Sequence, residues 1–187
     1  MEVEVSAEAK DKRLNRLVAI SVVVLSVFMG VSNIKDGNIV QAMQQAQADA
    51  VDTWGEYQAT RTKTHIAEGA RTTILLLGGA HPSPATAAAI AEFDANIARY
   101  NRAAPDLAAR ARGFTAQYDA LNVHDDQFDA SEAAIATAIS MAAVAALAES
   151  FSLLAGAWIL GAFGLFMGLC GFAGWGFHPD LLSTLLG

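Results

Sequence analysis

The sequence predicts an all-α membrane protein: three transmembrane helices, with a long antiparallel coiled-coil hairpin inserted between the first and the second. Three observations predict it. Of the 187 residues, 53% are hydrophobic and 17% are charged, a balance shifted well away from that of a soluble domain. The apolar residues collect in one run near each end of the chain. Between these runs apolar positions recur with alternating spacings of three and four, the period of helices that pack side by side.

Residues 1–16 form a charged start. Lys10, Lys12, Arg13 and Arg16 precede residues 17–34, which hold no charged side chain, and a helix of that length extends about 27 Å against a hydrocarbon core of about 30 Å. One span fits there. The basic start, the apolar run and Gly30-Val31-Ser32 also have the pattern of a cleavable secretory signal. The run is longer than a signal core, however, and is expected to remain as an uncut anchor. Gly37 is expected to loosen the join to the next segment and Asn38 to cap a new helix.

Residues 36–132 are expected outside the membrane as a helical hairpin. They hold 13 Asp or Glu against 7 Lys or Arg, in a chain whose net charge is −7. The first arm, about 38–77, shows a stripe of Ile39, Met43, Ala46, Ala50, Trp54 and Tyr57, continued by Arg61 and Thr64. The spacing of four on both sides of Ala50 reads as a local stutter. Residues 78–84 (Gly-Gly-Ala-His-Pro-Ser-Pro) are a dense turn signal and form the tip. The second arm, about 85–132, has the stronger seam: Thr86, Ile90, Phe93, Ile97, Tyr100, Ala104, Leu107, Ala111, Phe114, Tyr118 and Leu121. The same register continues through Asp125, Phe128 and Glu132 into Ile135, Ile139, Ala142 and Ala146, so arm and second span read as one helix. Pro105 is expected to kink it without changing register. Arms of similar length, on the order of 60 to 70 Å each, would return both ends to one membrane face.

From Ala133 to Phe177 only Glu149 is charged, and the run is about twice what one crossing needs. Spans are expected at about 131–148 and 152–176, with residues 177–187 as a tail. The turn between the spans falls at Glu149-Ser150 or, alternatively, at Gly156. Gly164 and Gly168, in Gly-x-x-x-Gly spacing, predict close packing of the third span on the alanine-rich second span or on neighbouring subunits. Trp158 and Trp175 suit interfacial aromatic belts. Four basic residues before the first span against Lys35 after it place the amino terminus in the cytoplasm and the hairpin in the periplasm.

Around Thr53-Trp54-Gly55-Glu56-Tyr57-Gln58-Ala59, followed by Arg61 and Lys63, the chain resembles the bacterial membrane-protein family catalogued as domain of unknown function 4337. Ala98-Arg99-Tyr100 and the stretch from His124 through Phe128 into Ile135 extend the resemblance over most of the chain. The resemblance implies a short charged start, one span, a helical segment opening on the Trp-x-x-Tyr-Gln-Ala run, a long helix and a closing pair of spans. It carries no activity with it. The hairpin departs from the family in being alanine-rich and less basic, so no partner is carried over either.

Composition and motifs exclude several functions. The single cysteine, Cys170, rules out an intrachain disulfide, a Cys-x-x-Cys metal site and c-type haem attachment. The acidic hairpin lacks the basic face that phosphates require, so no nucleic acid is expected. No nucleophile elbow, phosphate loop or His-Glu-x-x-His motif is present, and neither an enzyme nor a cofactor is expected.

The remaining candidates concern interaction. His124, Asp125 and Asp129 could offer an imidazole and two carboxylates to a divalent metal. A solvated acidic collar is the preferred reading, because ligands on one helix seldom close a coordination sphere. Asp125 and Glu132 fall on the seam, where polar residues fix register, and Lys35 is expected at the same level, paired with Glu132. Trp54 and Tyr57 are expected in the seam rather than as a docking platform. Glu149 is a charge in an apolar region, the pattern of an intramembrane proton or ion ligand, although its place at a turn favours solvent. His178 would be the one ligand for a haem or pigment at the membrane edge. The expected function is a non-catalytic scaffold or accessory subunit of the bacterial inner membrane. It would oligomerise through small-residue spans and present its arm to a partner in a homo-oligomer or larger complex. The alternatives are a subunit of a homo-oligomeric pore and an accessory subunit of a redox or light-harvesting complex.

Overall fold

The structure, a computed structural model, describes residues 2–79 and 82–177, with side chains from Lys12 onward. Its described residues hold three helices and no strand: α1 (Glu2–Gly78), α2 (Pro84–Leu147) and α3 (Phe151–Ala173). Each contains a window long and apolar enough to cross a membrane, consistent with a multi-pass membrane protein.

The break expected at Gly37 and Asn38 is absent: α1 runs through both. One glycine costs a helix about 1 kcal/mol relative to alanine, too little to end a helix whose flanking turns are well formed. Residues of the charged start likewise belong to α1. Pro105 lies inside α2, which continues on either side of it. The chain reverses at Ala148–Ser150, where Glu149 adopts a φ of 49° and Ser150 N–H donates to the Ala145 carbonyl at 3.0 Å. Gly156 lies within α3.

The chain divides into two compact units, residues 43–119 and the two segments that flank them. In the flanking unit, α3 lies against both α1 and α2. Leu14 and Val18 of α1 pack with Ala142 and Ala145 of α2 and with Leu154 and Ala157 of α3. A second cluster joins Leu25 to Ile135 and Ala138. The glycines of α3 make these approaches possible. A methyl group on Gly164 would lie 2.6 Å from Ile135 Cγ1 and 3.0 Å from the Ser131 carbonyl oxygen. One on Gly168 would strike the Phe28 ring at 2.6 Å, and one on Gly171 the Phe128 ring at 2.7 Å. Phe172 closes the cluster with edge contacts to Phe28 and Phe128, centroids 6.1 and 5.2 Å apart.

In residues 43–119, α1 and α2 meet through small side chains. The buried positions of α1 include Ala46, Ala50, Thr53, Thr64 and Ala67; those of α2 are Ala104, Ala108 and Ala111. Lys63, Ile66 and Ala67 line one groove with Phe93, Asn96 and Tyr100, and Gln47 and Ala50 line another with Thr115, Tyr118 and Asp119. Arg71 Nε donates to Asp94 across the pair. The stutter read at Trp54 is corrected here. Thr53, three residues after Ala50, is buried and Trp54 only half-buried, so the spacing stays regular. The Thr53 hydroxyl donates to the Asp49 carbonyl at 2.7 Å, which lets a polar residue occupy that place without an unmet hydrogen bond.

Candidate functional site

The densest polar constellation lies beside the apolar part of the flanking unit, where Asp36 of α1 faces α2. Asp36 follows Ser32 by four residues and precedes Ile39 by three, and all three are buried or half-buried. The stripe that buries apolar residues elsewhere therefore carries an acid here. Burial, then the charges of Asp125 and Asp129, a hydrogen bond with Asp125 and the charge of Glu132 push the Asp36 carboxyl up to about 6. Its Oδ1 is buried without a hydrogen-bond partner. Asp125 is raised by burial and by Asp129, while its hydrogen bond with Asp36 acts the other way. Asp129 is raised by burial and by Asp126. The shared bond raises Asp36 and lowers Asp125, so below about pH 6 Asp36 is the partner that carries the proton. The arrangement gathers acids of two helices into one cluster that takes up a proton as the pH falls through about 6.

Lys35 does not take part. The ion pair expected between Lys35 and Glu132 is not formed; both side chains are exposed, and the residue turned toward α2 is Asp36. One residue along a helix is a rotation of about 100°, enough to exchange a cation for an acid at the interface. The seam assignment of Glu132 is corrected with it. The fully buried polar residues of this stretch are Gln127 and Ser131, because α2 here meets α3 as well as α1 and its buried face is wider than one seam. Gln127 Nε2 donates to the carbonyls of Trp175 and Phe177, clasping the end of α3, where Gly174 adopts a left-handed φ of 66°. His124 Nδ1 lies 3.0 Å from Gln127 Oε1, so it orients the clasp. Among the described residues no group of three or more His, Cys, Asp or Glu side chains could hold a metal ion. His124, Asp125 and Asp129 accordingly do not converge.

The other candidates fall as follows. Trp54 and Tyr57 contact each other edge to face, centroids 5.5 Å apart, each half-buried. Gly164 and Gly168 are buried against the chain's own helices. Glu149 is exposed at the α2–α3 turn. Trp158 Nε1 donates to Ser21 Oγ at 2.7 Å, tying α3 to α1. His178 lies outside the described residues. Sequence reasoning missed Asp36, Gln127 and Ser131. Asp36 was detectable from its phase with Ser32 and Ile39; the other two carry no such signal.

A family model described as Domain of unknown function (DUF4337) matches residues 14–174. No curated protein and no solved structure matches the chain.

Proposed function

The chain belongs to the family described as Domain of unknown function (DUF4337), and on that footing we propose that it is a non-catalytic membrane scaffold or accessory subunit. In this reading it crosses a bacterial inner membrane three times, at about 17–34, 131–148 and 152–176, with its amino terminus in the cytoplasm. Residues 43–119 form an antiparallel coiled-coil arm in the periplasm, where a partner recognises it. The arm is supported by the narrow buried stripe on each helix and by the pairing of Arg71 with Asp94. The orientation is supported by the basic residues before the first span.

One observation carries the assembly part of this reading. The glycines of α3 are covered within the chain, but Ala133, Ala136, Thr137, Ser140 and Ala143 of α2 lie exposed at three-and-four spacing. Small residues on a lipid-facing helix are where another backbone can approach closely. Copies of the chain, or a larger complex, join there rather than at Gly164 and Gly168. Extraction in mild detergent followed by mass measurement of the intact assembly tests it: a defined oligomer or stoichiometric complex is expected, and Ala136→Leu should shift it toward monomer. A monomeric wild-type chain would sink the reading. Thr137 and Ser140 on the same face favour a second reading, a pore whose path these hydroxyls line. Conductance across planar bilayers, lost in Ser140→Leu, would select it.

A further inference from the structure

We infer that the tip of the arm, formed by the end of α1 and the start of α2, inserts shallowly into a lipid bilayer other than the one holding the spans. The inference rests on the reading of residues 43–119 as an extramembrane arm. From Thr72 to Ala91 the sequence holds no Asp, Glu, Lys or Arg; charges resume at Arg71 and Glu92, and Arg71 is paired with Asp94. Within this uncharged tip Leu75, Leu76 and Leu77 are 43%, 79% and 82% exposed. Exposed leucines of that size in an extramembrane element call for a covering surface.

Their arrangement selects lipid as the cover. Three consecutive positions spread over about 200° of a helix's circumference. A protein groove takes one face of a helix, with anchors three and four residues apart, whereas hydrocarbon accepts apolar groups on every side. Lipid also demands that polar groups be satisfied internally. The Thr72 and Thr73 hydroxyls donate to the Glu68 and Gly69 carbonyls at 2.8 and 2.9 Å. Ser83 and Thr86 share a hydrogen bond of 2.8 Å. Ser83 Oγ also accepts from the Thr86 N–H at 3.1 Å, and Pro84 opens α2 with no N–H to satisfy. These four are the described polar side chains of the tip. A cap of leucines one turn long matches an insertion of about 5 to 10 Å into the headgroup boundary.

The test is flotation of the full chain in nanodiscs with protein-free vesicles of phosphatidylethanolamine and phosphatidylglycerol. The wild type should co-float, and a Leu76→Asp, Leu77→Asp double variant should lose at least about tenfold in binding with its circular-dichroism melt unchanged. Leu76→Phe should retain binding. Failure of the wild type to co-float, equal flotation of the aspartate variant, or clustering of nanodiscs without vesicles would overturn the inference; the last would assign the tip to a second copy. Labelling of Gln58→Cys by a membrane-impermeant maleimide separates the two readings. Labelling without flotation sinks the tip alone, and shielding of position 58 sinks the arm and the tip together.

Discussion

In the unit formed by the flanking segments, helices meet where one of them offers a glycine and another a large side chain: Gly164 beneath Ile135, Gly168 beneath Phe28, Gly171 beneath Phe128. In residues 43–119 both partners offer small side chains, and the buried positions are chiefly alanine and threonine. Knob and hollow in the first case give large, shape-specific contact, which is what association among apolar lipid tails requires, since hydrophobicity drives little there. With residues 43–119 in water, as proposed above, alanine against alanine buries roughly one methyl group per position, about 0.8 kcal/mol for each CH₂-sized group, where a Leu or Phe contributes about 1.5 to 3. The same close approach is thus strongly held in one unit and weakly held in the other.

The largest effect expected is at the knobs. Gly164→Ala places a methyl group against a backbone carbonyl and Ile135, and should cost about 3 kcal/mol in unfolding from detergent micelles. Gly37→Ala, with nothing within 4 Å of the added methyl, should be neutral or stabilising by up to about 1 kcal/mol. Equal effects at the two positions would break the comparison. Ala111→Leu, at a position with 0% exposure, should cost about 2 kcal/mol by overpacking. Hydrogen exchange should show that loss within 43–119 and leave protection near Gly164 unchanged; a uniform loss would show that the units unfold as one.

The smallest effect belongs to the acid between the helices. The folded chain holds the Asp36 proton more tightly than the unfolded chain, whose carboxyl has its ordinary value of 3.8. The resulting stabilisation is complete below about pH 4 and is lost as the pH rises through 6. Asp36→Asn should reduce that dependence, leaving the part that the raised Asp125 and Asp129 contribute, and should stabilise the protein at pH 7.5 by on the order of 1 kcal/mol once partial solvent access is allowed for. Thermal unfolding at pH 5 and 7.5 measures both, and a variant that keeps the wild-type difference would remove Asp36 as its source.

Much of this fold was legible because its signals are local and repeated. The second-arm seam from Thr86 to Leu121 coincides with buried or half-buried positions throughout, since a period sustained over many turns survives single exceptions such as Pro105. The reversal near Glu149 announced itself as the one charge in an apolar run. What escaped depends on neighbours. Glu132 was assigned to the seam and Gln127 and Ser131 were passed over because a single periodic stripe describes contact with one helix, and α2 there touches two. Glycine spacing on α3 promised close approach to the second span or to neighbouring subunits; Gly164 does meet Ile135 of α2, while Gly168 also meets Phe28 of α1, which spacing alone does not indicate. At Lys35 and Asp36 the difference was one residue, and that sufficed to replace an ion pair with a cluster of acids.

The alanine seam has a thermal consequence. Met43 apart, the residues buried outright along it are small and the large ones only half-buried, so unfolding exposes less apolar surface than a seam of fully buried large side chains would, and the heat-capacity change scales with that surface. The stability curve of residues 43–119 should therefore be shallow and broad. On warming, that region would lose its helices by degrees from their ends, while the knob-and-hollow contacts around Gly164 and Gly171 would hold and then give way together.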